Sequence, residues 1–248
     1  MSKHLNEFIE IFNNVKNRGF IETHRSGNTG IGKTFEDCCN IVENNLEIAD
    51  YKDIEIKSQR NYTGSYITLF TKAPTYPKKA NTALRTKYGS PDKQIPDMKV
   101  LHTSIFSTSF NTHKSGYGFK IEIDYTNEKI KLIIKDLSTN TIVDDTVYWS
   151  FNNIKEIIDT KLQYIAFIQA ETKKKDGKEL FHFNKMILLS DFTFPKFLKL
   201  LEEGLIMFDI RIGIYRKGKN IGKTHDHGSG FRISKRSLNI AFNVQIIE

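Results

Sequence analysis

Apolar residues near the start of the chain recur at helical spacing. Leu5, Phe8, Ile9, Phe12 and Val15 share one face, which predicts an amphipathic helix over 3–17. A second helical stripe, Phe35, Cys38, Cys39, Val42 and Leu46, predicts a helix over 35–46. Thr34 would cap it, with Asp37 at the third position of a capping box. The period then shortens to two. In "DIEIK" Ile54 and Ile56 point to one face of a strand over 53–58, while Asp53, Glu55 and Lys57 point to the other. "FDIRIGIY" alternates likewise, placing Asp209, Arg211, Gly213 and Tyr215 opposite Ile210, Ile212 and Ile214. Further strands are predicted near 65–71, 119–125, 129–136, 141–149, 163–170, 180–189 and 230–234, with helices over 151–161 and 193–203. Residues from 72 to about 115 read as a basic loop. The expected fold is α/β with a mixed or largely antiparallel sheet flanked by helices.

Composition narrows the possible partners. The chain has 248 residues, enough for one large domain or two modest lobes, and a net charge of +8. That balance favours polyanions, nucleic acid before a membrane surface. No run of residues is apolar for long enough to span a membrane. The N-terminal pattern lacks the apolar block and cleavage site of a signal peptide, so a cytoplasmic location is expected. Cys38 and Cys39 are adjacent, too few for a zinc site and too close for an unstrained disulfide; they read as small apolar residues.

Residues 27–34, "GNTGIGKT", match the phosphate-binding pattern G-x-x-x-x-G-K-[ST]. Such a loop needs a buried strand feeding into it, yet "IETHRS" is polar and charged. The next strand carries no lone magnesium-holding acid of the kind nucleotide hydrolases use. No ATP is therefore expected. The glycines serve a turn or a close approach to a ligand such as a DNA phosphate, with Asn28 and Lys33 as contacts.

The strand beyond the loop carries a different chemistry. Asp50 just precedes "DIEIK", giving the D…[DE]-x-K arrangement of magnesium-dependent nucleases. Hard magnesium takes carboxylate oxygens and keeps several waters. Asp50 and Glu55 would hold it, with the Ile56 carbonyl as a further ligand, and Lys57 would position or activate the attacking water. Glu36 can add another carboxylate. "TKAPTYPKKANTALRTKYG" then supplies Lys72, Lys78, Lys79, Arg85 and Lys87, suited to tracking a phosphate backbone.

A second constellation lies in "DIRIGIYRKGKNIGKTHDHGSGFRI". His225, Asp226 and His227 lack a third strong metal ligand, so base reading is favoured over zinc. Arg211 and Arg232 can grip guanine O6 and N7, and Asp226 can accept from cytosine N4. Asp209, Tyr215, Lys223, His225 and His227 complete the candidate surface.

With these segments in place, the chain resembles the MvaI/BcnI family of type II restriction endonucleases nearly end to end. The most specific stretches are "GNTGIGKTFED", "DIEIK", "TLFTKAPTYPKKANTALRTKYG", "VYWSF", "DIRIGIY" and "GKTHDHG". The resemblance implies a PD-(D/E)xK nuclease core related to MutH, with a smaller DNA-recognition lobe. The corresponding division is 1–175 for catalysis and 176–248 mainly for recognition. It places Asp50, Glu55, Lys57 and Glu36 in the family's catalytic motif. It further implies a monomer that nicks double-stranded DNA strand by strand at CC-N-GG sites, after the second cytosine, leaving one-nucleotide 5′ overhangs. The likeness is closer to the branch that takes A or T at the centre, implying CC(A/T)GG. Magnesium is the implied cofactor, manganese a substitute and calcium a non-cleaving one. A cognate DNA methyltransferase is the implied functional companion. The alternatives are a MutH-like nicking repair enzyme and an inactive DNA-binding module.

Overall fold

The computed structural model describes residues 3–42, 48–61 and 66–248. The chain begins with α1 (Lys3–Lys16), β1 (Ile21–Glu22), α2 (Gly30–Cys38) and β2 (Ile54–Arg60). It continues through β3 (Tyr66–Thr71), α3 (Ala80–Tyr88), β4 (Ser90–Pro91), β5 (Lys99–Ile105), β6 (Tyr117–Asp124), β7 (Lys129–Asp136) and β8 (Ile142–Ser150). Next come α4 (Phe151–Lys161), β9 (Tyr164–Lys175), β10 (Lys178–Ser190), α5 (Phe194–Glu202) and β11 (Ile206–Ile214). The last elements are β12 (Thr224–Asp226), β13 (Gly230–Ser234), α6 (Leu238–Ala241) and β14 (Asn243–Ile247).

These elements form two compact units that share the chain alternately. The first comprises Met1–Ser65, Ile157–Thr193 and Leu238–Glu248; the second comprises Tyr66–Glu156 and Phe194–Ser237. The boundary expected at 175/176 falls at the tip of the β9–β10 hairpin, inside the first unit. Strand pairing from Lys175↔Lys178 through Tyr164↔Ser190 holds both sides of that boundary in one sheet.

In the first unit the sheet order is β1-β10-β9-β2, with β14 also on β10. Among the described residues only β2 and β9 run parallel in this sheet, so it is mixed as expected, and β2 is its edge strand. Phe181 and Phe183 of β10 reach the core, and beyond them the inward phase passes to Met186 and Leu188. The shift occurs where the β9 register slips between Phe183 and Lys185, a bulge that turns the next side chains inward. Against these pack Leu5, Phe8, Phe12 and Val15 of α1, Phe35 and Cys38 of α2, and Ile54 and Ile56 of β2. The α1 stripe is therefore buried as its spacing predicts.

In the second unit the order is β3-β13-β11-β5-β4, with β12 pairing β11, beside a three-stranded sheet β6-β7-β8. Its core centres on Trp149, fully buried, whose ring lies 4.5 Å from Phe208 and 5.5 Å from Phe231. The indole N–H donates to the Lys72 carbonyl at 3.0 Å, satisfying its one polar atom.

Several elements differ from expectation. The second helix runs Gly30–Cys38, not 35–46. A side chain at Gly30 would sit 2.1 Å from the Arg25 carbonyl oxygen, so only glycine lets the helix start there. Thr34 is accordingly inside the helix: its hydroxyl donates to the Gly30 carbonyl at 2.7 Å and accepts from the His24 N–H at 2.9 Å. The helix stops because Asn40 turns left-handed, at φ +58°. Ile41 N–H then bonds the Glu36 carbonyl and Asn40 N–H the Asp37 carbonyl, a Schellman closure. Val42 is exposed, and Leu46 lies outside the described residues. Cys38 and Cys39 are buried free thiols, with burial pushing Cys39 up to about 12. The expected basic loop holds α3 and β5.

Candidate active site and base-reading face

The first candidate site sits on the edge of the mixed sheet. Tyr51 and Ile54 exchange backbone hydrogen bonds, N–H to carbonyl at 3.0 and 2.8 Å, and close a tight reversal with Lys52 at φ +54°. The reversal brings Asp50 alongside β2, where its Oδ2 accepts the Ile56 N–H at 2.8 Å. In a strand the N–H and C=O of one residue point the same way, so the Ile56 carbonyl faces the edge where Asp50 lies.

Glu55, 8% exposed, is the most buried ionisable group of this set. Its Oε1 accepts from Lys57 Nζ at 2.9 Å. Among the described residues its buried Oε2 meets no hydrogen-bond partner, and Lys161 Nζ stands 3.7 Å from it. Burial and the Glu55 charge raise the Asp50 carboxyl above its ordinary value; the Ile56 N–H, Lys57 and Lys161 pull it back. Two crowded carboxylates, one with an oxygen lacking a hydrogen bond, fit a hard divalent cation that takes part of its shell from water. Among the described residues, no group of three or more His, Cys, Asp or Glu side chains converges on a metal position. Glu36, half-buried on α2 over Gly32, is thus not brought together with Asp50 and Glu55. Nor do His225, Asp226 and His227 form a metal cluster.

The glycine-rich loop is held by ion pairs and backbone contacts. β1 is a two-residue strand antiparallel to β10, not the buried parallel strand a nucleotide loop requires. Lys33 Nζ is engaged by Asp37 at 2.6 Å, and His24 Nδ1 lies 3.0 Å from the other Asp37 oxygen. The exposed Asn28 and its neighbour Gly27 offer carbonyls to Arg60 at 3.5 and 3.4 Å. Arg60 is itself clamped in two-pronged fashion by Glu179.

The second site is a face of the antiparallel sheet in the other unit. Along β11, Asp209 is half-buried and Arg211 exposed, with Ile210, Ile212 and Ile214 buried behind. Asp209 is bracketed by Ser104 Oγ at 3.0 Å and Arg232 Nε at 2.9 Å. Arg232 also donates to the Gly228 carbonyl at 3.1 Å. The Tyr215 ring stacks on His225 at 4.2 Å, nearly parallel, and His225 lies 4.1 Å from His227. His227 approaches so close to β11 that a side chain at Gly213 would meet its Nε2 at 2.8 Å. His102 of β5, cross-strand from Arg211, extends the row at 6.2 Å from His227. Burial, with neighbouring positive charge from Arg211, lowers both His102 and His227 below the usual histidine value. At neutral pH each keeps one ring donor and one acceptor.

Asp226 is fully engaged. Its Oδ1 takes the Gly228 and Ser229 N–H groups and the Ser229 hydroxyl, and its Oδ2 accepts from Asn81 at 2.6 Å. It shapes the turn that presents the two histidines. Lys223 is exposed, with Asn220 Oδ1 at 3.1 Å.

The basic stretch divides. Lys78, Lys79 and Lys87 are exposed and Lys72 half-buried, whereas Arg85 is buried with its guanidinium on the Lys99 carbonyl at 2.8 Å. Sequence reasoning did not single out His102, Ser104 or Lys161. His102 and Ser104 lie in a strand, β5, inside the stretch expected to be a loop. Lys161 ends a helix whose stripe signalled only packing.

An α/β fold whose mixed sheet carries Asp50, Glu55 and Lys57 at its edge is that of a PD-(D/E)xK restriction-endonuclease-like protein. The MvaI/BcnI restriction endonuclease family matches residues 9–242, and the chain belongs to that family, as a type II site-specific deoxyribonuclease. Among solved structures it is similar to the restriction endonuclease MvaI–cognate DNA substrate complex, at 42% identity and TM-score 0.90, with 100% of each chain covered. It is also similar to restriction endonuclease MvaI in the absence of DNA, at 39% identity and TM-score 0.63, covering 100% of this chain and 99% of that one. No curated protein matches.

Proposed function

We propose that this enzyme is a magnesium-dependent endonuclease that cuts double-stranded DNA at CC(A/T)GG after the second cytosine, leaving one-nucleotide 5′ overhangs. The observation that carries the reading is the pairing of Asp50 with Glu55. One carboxylate is fixed by the Ile56 N–H at 2.8 Å, and the other keeps a buried oxygen without a hydrogen bond. The likeness to MvaI, solved with its cognate DNA substrate, supports DNA as substrate, and the target CC(A/T)GG is the one that the sequence resemblance implies.

Asp50, Glu55 and the Ile56 carbonyl would hold the ion. When bound, magnesium supplies Lewis-acid charge at the scissile phosphate. Lys57, anchored on Glu55 Oε1, orients the attacking water and offsets charge developing on the phosphate. Hydrolysis belongs to the first unit and base reading to the second. There, Arg211, Arg232, His225 and His227 address base edges, Asp209 fixes Arg232, Asp226 shapes the turn, and Tyr215 supports His225. Lys72, Lys78, Lys79, Lys87 and Lys223 follow the phosphates. The enzyme acts as a monomer in the cytoplasm, nicking one strand and then the other, and a companion methyltransferase protects host sites.

The test is plasmid digestion with and without magnesium, with the cut ends mapped. Cuts confined to CC(A/T)GG, absent in chelator and lost in Lys57→Ala, are expected. Cuts at another sequence would overturn the proposed target. Cutting that persists in chelator would overturn the metal site. A time course that never accumulates open circles would overturn sequential nicking.

A further inference from the structure

Glu55 is approached by cations from two sides. Lys57, its neighbour on β2, occupies Oε1 at 2.9 Å. Lys161 reaches the buried Oε2, but at 3.7 Å it compensates charge without forming a hydrogen bond. It comes from the end of α4, more than a hundred residues downstream, and its charge also acts on Asp50. Two lysines thus balance two carboxylates. A cation in the last turn of a helix is also favoured by the helix dipole, so Lys161 keeps a favourable environment when it leaves Glu55.

We propose that Lys161 is the counter-cation of the metal-free site: it neutralises Glu55 Oε2 until a divalent ion takes that oxygen, and it must withdraw for the ion to enter. An ammonium and a metal ion cannot share one partly buried oxygen without strong mutual repulsion. Lys161 therefore sets the metal concentration at which the site loads. It is a positioning residue acting through Glu55, and the inference rests on the reading of Asp50 and Glu55 as metal ligands.

Manganese binding to the full-length, DNA-free protein at about pH 8, followed by the electron paramagnetic resonance of free Mn2+, separates the possibilities. Lys161→Met is expected to bind Mn2+ tighter by roughly three- to tenfold, as expected for removal of one nearby, partly screened positive charge. Lys161→Arg should stay near the wild type, and Asp50→Asn should lose the site. Lys161→Gln serves as a second neutral variant should the methionine protein not fold. If binding depends on Asp50 but the neutral variants bind equally or more weakly, the inference falls and the metal site stands. If no protein shows Asp50-dependent binding, the metal-site reading falls and takes the inference with it.

Discussion

Asp50 Oδ2 accepts a hydrogen bond from the backbone N–H of Ile56, six residues downstream, at 2.8 Å. The contact exists because the chain reverses between Tyr51 and Ile54, and it leaves the carboxylate crowded against Glu55. Burial and Glu55 raise Asp50 above its ordinary 3.8. A raised acid stabilises the fold at low pH and loses that contribution as pH rises through its folded value. Asp50→Asn keeps an oxygen for the Ile56 N–H and removes the charge. In chelator near pH 8 the variant should melt higher than the wild type by differential scanning calorimetry. Its cleavage rate with magnesium should fall on the order of a thousandfold.

Gly213 lies directly under the His227 imidazole. Gly213→Ala would put a methyl group 2.8 Å from Nε2, forcing the ring away from its tilted contact with His225. Such overpacking costs about 1–3 kcal/mol. Calcium-supported binding to CC(A/T)GG should weaken toward the level for random DNA, while manganese binding at Asp50 and Glu55 is unchanged. Retained sequence preference would remove His227 from the reading face.

The exposed and buried cations of the basic stretch should part company. Lys78→Ala or Lys79→Ala should weaken binding to every DNA sequence and lower the salt dependence by about one counterion each. Arg85→Met leaves the Lys99 carbonyl without its 2.8 Å donor. It should cost about 1–3 kcal/mol of stability in urea titration and leave the salt slope alone.

Stability should fall on mild acidification. His102, His113 and His227 all lie below the ordinary 6.5, with burial the largest cause. Between 6.5 and their folded values the unfolded chain takes up protons that the folded one refuses. Their contribution is complete above 6.5 and lost as pH falls through the folded values. Urea midpoints should drop from about pH 7.5 to about pH 5.5, and less steeply in His102→Gln, which removes one of the three titrating rings.

Local pattern accounted for much of the architecture. The α1 stripe, the alternation of Ile54 and Ile56, and that of Ile210, Ile212 and Ile214 each reported a buried face, because side-chain direction follows from backbone period alone. Thr34 misled because a hydroxyl before an apolar stripe looks the same whether it caps a helix or back-bonds inside one. The helix α3 repeats Ala80, Leu84 and Tyr88 at helical spacing, but lysines and prolines on its approach made the stretch read as loop.

Chemical identity of the site was likewise a matter of residue type and spacing: Asp50, Glu55 and Lys57 stand together because a strand and its preceding turn are local objects. The tertiary fold decided everything that depends on partners distant in the chain. It brought Lys161 to Glu55, His102 beside Arg211, and Asn81 to Asp226, and it withdrew Arg85 from solvent. Pairings across tens to more than a hundred residues are set by strand register and helix packing, and these leave no periodic trace in the sequence.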